Sequence, residues 1–124
     1  MKRMIWVTFQ KEGFHKYPDA PDEVSYLRNE HRHIFHFKVS IEVCHNEREI
    51  EFHMFRTWLL NLFNPNQLNA NNKSCETLAA EILYSIKGHV VYGGPFHGNF
   101  DLAPRYVEVT VSEDDECGAT LSNR

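Results

Sequence analysis

Most of the usual catalytic signatures are missing from this sequence. No GxSxG, no phosphate-binding P-loop and no GxGxxG occurs, so nucleophilic or nucleotide-loop chemistry has little support. Cysteine is scarce and odd in number, at Cys44, Cys75 and Cys117, with no CxxC. Scattered thiols of this kind predict reduced cysteines in a cytoplasmic protein. Cys44 beside His45 and Cys75 beside Glu76 are only sequence neighbours, which is not how a Cys/His pair is recognised. No run of five or six like charges appears, and the formal net charge is −4. Coating a nucleic acid polymer needs a basic face, so no such partner is expected. An acidic chain can still bind a nucleotide by reading its base. No apolar run reaches 18 residues, so no membrane span is expected. The short apolar stretch near the N-terminus is broken by Gln10, Lys11 and Glu12, so no signal peptide is expected either.

What is present fits one folded domain over residues 1–124. A chain of this length buries roughly two thirds of its unfolded surface and needs neither disulfide nor metal to fold. Hydrophobic residues make up 42% and charged residues 24%, close to globular averages. The unusual feature is eight His alongside nine Phe.

Apolar residues alternate over 4–10, where Ile5, Val7 and Phe9 share a face, which predicts a strand. Pro18 and Pro21 mark a loop. The clearest strand runs over 31–44, with His31, His33, Phe35, Phe37, Val39, Ile41 and Val43 on one face. The opposite face is mostly polar, which suits an antiparallel sheet with one wet side. From Ile50 the period becomes 3.6, and Phe52, Phe55, Leu59, Leu62 and Phe63 form a helical stripe, widened by Met54 and Trp58. Asn64-Pro65-Asn66 ends that helix, and 69–72 is expected to be a polar linker. A second helix starts near Ser74, with Leu78, Ala79, Ile82, Leu83 and Ile86 inward and Gly88 at its C-cap. Residues 88–104 read as a long Gly-rich loop, a kind often functional. Val107, Val109 and Val111 mark a third strand, Glu113 to Glu116 an acidic turn, and 118–122 a closing strand. The order β-β-α-α-β-β predicts an α+β fold, an antiparallel sheet with two helices on one face.

His31-Arg32-His33 puts two imidazoles on one strand face, with Cα atoms about 7 Å apart. A third nitrogen would complete a three-His metal site with an open fourth position. His15 is the best third ligand, because it follows the strand that pairs with this one. The alternative is an ordinary polar strand end. His36, His45, His53 and His89 read as structural or solvated, and His97 sits in a loop that could close over a site. Glu113 ends a strand, where its carboxylate could accept two hydrogen bonds from an N–H/NH₂ edge such as that of guanine or pterin. The alternative is a solvated acidic turn.

Taken in order, these residues resemble the 6-pyruvoyl tetrahydropterin synthase and 6-carboxytetrahydropterin synthase family, over about residues 4–121 without 88–104. The family's HGH is similar to His31-Arg32-His33, its DF to Glu51-Phe52, its PTxENLA to the run Lys73 to Ala79, and its VxVxE to the run Val107 to Glu113. The chain is also similar to small bacteriophage-encoded proteins. The resemblance implies a T-fold that oligomerises into a barrel, a homo-oligomer such as a trimer or hexamer. It implies zinc on His15, His31 and His33, and a pterin-ring anchor at Glu113; the expected set for a pterin- or purine-like ligand is Glu113, Glu76 and Thr77, with His97 added from the 88–104 loop. Two departures bear on activity. The run Val24 to Glu30 lacks the family's nucleophilic Cys, and Asn64 to Asn69 lacks its Asp-His relay. Losing members of a catalytic unit costs orders of magnitude in rate. The expected function is therefore binding of a purine- or pterin-like small molecule, with a nucleotide among the candidates. In a phage-encoded protein this would sequester a host signal in the host cytoplasm. The alternatives are a divergent zinc-dependent synthase-like lyase and a purely structural protein.

Overall fold

A computed structural model describes residues 1–62, 68–87, 90–92, 99–101 and 105–124. Strand β1 (Arg3–His15) pairs antiparallel with β2 (His31–Val43) along its whole length, from Arg3 opposite Val43 to His15 opposite His31. Helix α1 (Phe52–Leu62) follows, then strand β3 (Leu68–Asn71) and helix α2 (Cys75–Lys87). Strands β4 (Val90–Tyr92) and β5 (Asn99–Asp101) pair with each other. Strand β6 (Val107–Glu113) pairs with β2 on one side and with β7 (Cys117–Ser122) on the other. The main sheet has the order β3-β1-β2-β6-β7. The fold is α+β: β1, β2, β6 and β7 form a four-stranded antiparallel core of this five-stranded sheet, which carries the helices.

One face of the sheet is dry. Val7, Phe9, Phe35, Phe37, Val39, Ile41, Val107, Val109 and Val111 are buried there. They pack in a single cluster with Phe55 and Leu59 of α1 and with Leu78, Ala79, Ile82, Leu83 and Ile86 of α2. Phe9 stacks on Phe37 across the β1–β2 pair, with ring centroids 4.9 Å apart. The side-chain period of two fixes this register, since a one-residue slip would turn every one of these groups outward. Trp6, Ile34 and Lys38 stand on the opposite, open face.

The helix starts are capped by side chains. Glu51 accepts from the backbone N–H groups of His53 and Met54 at the head of α1. Ser74 Oγ accepts from Thr77 N at 3.1 Å, as its N-cap role predicts. Gly118 packs so closely under β6 that a Cβ there would lie 2.6 Å from Ser112 Cα, which leaves room only for glycine. Among the described residues no helix is long and apolar enough to cross a membrane.

Four expectations need correction. The polar linker expected at 69–72 contains most of β3, which runs parallel to β1 at Gly13 to His15, so the sheet is not purely antiparallel. Its Leu68-Asn69-Ala70-Asn71 carries no alternating pattern, and only pairing to a neighbour makes it a strand. The 88–104 stretch is not all loop, because it contains the β4–β5 ribbon. The proline-marked loop includes a short 3-10 helix, Asp22–Leu27. Phe52 is 48% and Met54 49% exposed rather than part of the buried stripe, and both lie in the first turn of α1. Leu62 and Phe63, the C-cap at Gly88, and His89 and His97 fall on side chains or positions outside the described residues.

Candidate metal centre and adjoining cavity

The β1–β2 pairing builds the centre. His15 closes β1 directly opposite His31, and His33 stands two residues further along the same face, opposite Gly13. No β1 side chain competes for the space beside His33. The three rings meet edge to face, with centroids 4.4 Å apart for His15–His31, 4.7 Å for His31–His33 and 5.1 Å for His15–His33. One potential ligand nitrogen from each ring lies within 4.8 Å of the other two. Phe35 forms the apolar floor, 5.6 Å from the His15 ring and 6.1 Å from the His33 ring.

Each ring has one nitrogen within hydrogen-bond distance of an oxygen and one without a hydrogen bond among the described residues. His31 Nδ1 lies 2.8 Å from the Asn29 carbonyl oxygen. His33 Nδ1 lies 2.6 Å from Asp114 Oδ2, and His15 Nε2 lies 2.8 Å from Glu113 Oε1. A carbonyl and two carboxylates can only accept, so the nitrogen facing each of them carries the hydrogen of a neutral ring. The lone pairs then belong to His15 Nδ1, His31 Nε2 and His33 Nε2. These three atoms are buried and, among the described residues, without any hydrogen-bond partner. Buried polar atoms are nearly always satisfied, and three orphans in one cluster call for an explanation. Metal-binding imidazoles show this arrangement, with the far nitrogen tied to a carboxylate or carbonyl and the near one free. Burial, helped by repulsion from the His31 and His33 rings, holds His15 below its ordinary pKa and outweighs the upward pull of the Glu113 carboxylate. It therefore keeps a lone pair at neutral pH. The donor set, three imidazoles close together with their unbonded nitrogens converging, fits a metal ion.

The register also carries Glu113 to the dry face, opposite Phe35. From there it reaches His15, approaches His33 Nε2 at 3.6 Å, and accepts a weak hydrogen bond from Cys75 Sγ at 3.9 Å. Glu113 also forms part of the wall of a cavity of about 530 Å³, with His15, Tyr17, Lys73, Cys75 and Glu76 among the other residues lining it. That volume falls in the range of small-molecule sites. Burial first, then the charges of Glu113 and Glu76, pushes the Cys75 thiol up to about 12. It stays protonated and is no nucleophile at neutral pH.

The structure thus brings together His15, His31, His33, Glu113 and Glu76. Thr77 is not part of the cavity wall; its backbone and hydroxyl are engaged by Ser74 at the head of α2. His97 lies outside the described residues. Sequence reasoning missed Cys75, which reaches Glu113 from α2 across 38 residues, and Asp114, which looked like solvated turn. Asp114 lies below the ordinary carboxylate range, chiefly because Ile34 N donates to it and then because His33 does. The only sequence signal for its role was its place directly after Glu113. No family model matches the chain, and no curated protein is a match for it.

Proposed function

We propose that the protein binds a metal ion, zinc by its donor set, together with a purine- or pterin-like small molecule in the adjoining cavity. The observation that carries this reading is the trio of orphaned imidazole nitrogens set beside a cavity whose wall presents the Glu113 carboxylate. His15, His31 and His33 would hold the ion. When bound it would act as a Lewis acid toward oxygens of the small molecule. Glu113 would accept from the N–H/NH₂ edge of a ring, and Glu76 and Lys73 would meet its polar substituents. Such a ring edge would have to share Glu113 with His15, so ring and metal sites meet at one carboxylate. Binding rather than catalysis is favoured by Cys75: the thiol in this cavity is held protonated by its surroundings.

Glu113→Ala tests the ring site. A charge-assisted hydrogen bond contributes about 1.5–3 kcal/mol, so its loss should weaken a guanine- or pterin-type ligand roughly 10- to 100-fold in calorimetry. Unchanged affinity for every purine and pterin that the wild type binds would sink this assignment.

The same reading takes the chain as a divergent T-fold that assembles with copies of itself. Strand β3 covers β1 only at Gly13 to His15, and β7 has a neighbour on one side only among the described residues. Bare strand edges invite pairing, and closing a barrel removes them. Light scattering should return the mass of three or six 14.6 kDa chains. A monomer at micromolar concentration would contradict the assembly.

A further inference from the structure

The β6–β7 turn does more than join two strands. Asp114 has a φ of 54° and Asp115 a φ of 58°, the positive values of a tight hairpin turn. This conformation folds Asp114 back over β2. Its backbone N–H donates to the Ile34 carbonyl at 2.8 Å, and its Oδ1 accepts from Ile34 N at 2.9 Å. The same carboxylate accepts from His33 Nδ1 through Oδ2 at 2.6 Å. Three hydrogen bonds therefore join one turn residue to two successive residues of β2, 80 and 81 positions away in sequence.

We propose that Asp114 is a positioning residue for the metal centre, fixing both the ring angle and the tautomer of His33. This inference rests on the metal reading above. Ile34 N can only donate, so one carboxylate oxygen is committed to it. The other oxygen then demands a hydrogen on His33 Nδ1, which leaves the lone pair on Nε2, the buried orphan atom facing the other two rings. Asp114 thereby makes His33 a ligand rather than merely a neighbour.

Asp114→Asn reverses this logic with almost no change of shape. Asn tolerates positive φ at least as well as Asp, so the turn survives. Ile34 N still requires an oxygen, which turns the amide NH₂ toward His33 Nδ1. That nitrogen must now accept, and the hydrogen moves to Nε2, where it blocks metal binding.

The experiment is nitrogen-15 NMR of the imidazoles in chelator-treated full chain, paired with zinc titration of wild type and Asp114→Asn. Wild-type His33 should carry its hydrogen on Nδ1 and the variant's on Nε2. The zinc dissociation constant of the variant should rise roughly 10- to 100-fold, the usual effect of losing an outer partner. A variant that keeps the wild-type tautomer, or binds zinc as tightly as wild type, would overturn the assignment. So would a wild-type His33 protonated only at Nε2, a result that requires no variant to fold. Failure of wild type to bind zinc would instead count against the metal reading, and the tautomer measurement would still decide the role of Asp114.

Discussion

His33→Ala should weaken zinc binding by at least about a hundredfold, beyond what losing an outer partner costs. His31→Ala should do the same. Each removes one of three donors, and two imidazoles hold an ion far less firmly than three. Both side chains stand at the end of the β1–β2 pair rather than in the apolar cluster, so the fold should survive. His15→Ala is a less clean test because His15 is buried and anchors Glu113. Competition against a chromophoric chelator reads the affinity, and a thermal melt without metal checks the fold. Wild-type affinity in either folded variant would remove that residue from the ligand set.

Phe35→Ala should be the most damaging single change to stability. Phe35 is fully buried, sits on the central strand opposite Glu113, and presents its ring to both His15 and His33. Truncating a buried Phe costs about 3–5 kcal/mol through lost transfer energy and the cavity left behind. A domain has only about 5–15 kcal/mol in total, so the variant should be marginal or unfolded. Urea unfolding should show the midpoint falling with little change in slope. Because Phe35 is also the floor of the centre, any folded fraction should bind zinc more weakly than wild type. A loss under about 1 kcal/mol would mean that the floor is not packed as described.

The parts legible in the sequence are those written in a local period. Alternation from His31 to Val43 placed Phe35, Val39 and Ile41 inward, and the same alternation put His31 and His33 in line with them. Ser74 announced the start of α2 through its chemistry as a cap. His15 and Glu113 were reachable by following strand ends. What stayed hidden depends on contacts distant in sequence. Strand β3 has no alternating pattern and exists by pairing with Gly13, Phe14 and His15. Cys75 lies in the first turn of α2, and only packing of that helix against β6 brings it to Glu113. Asp114 looked like one of four acidic turn residues, and a positive φ aims it at His33 and Ile34 while Asp115 and Glu116 face solvent. In each case the deciding force is a hydrogen bond or a packed surface closed across many residues, which no short window of sequence contains.

The central claim is that His15, His31 and His33 form a metal centre through three defined nitrogens. Zinc titration of the nitrogen-15-labelled, chelator-treated full chain tests it directly. The account predicts saturation at one equivalent per chain, with shifts at His15 Nδ1, His31 Nε2 and His33 Nε2 and little change at the nitrogens bonded to Glu113, Asn29 and Asp114. A chain that takes up no zinc, or takes it up without moving those three resonances, would contradict it.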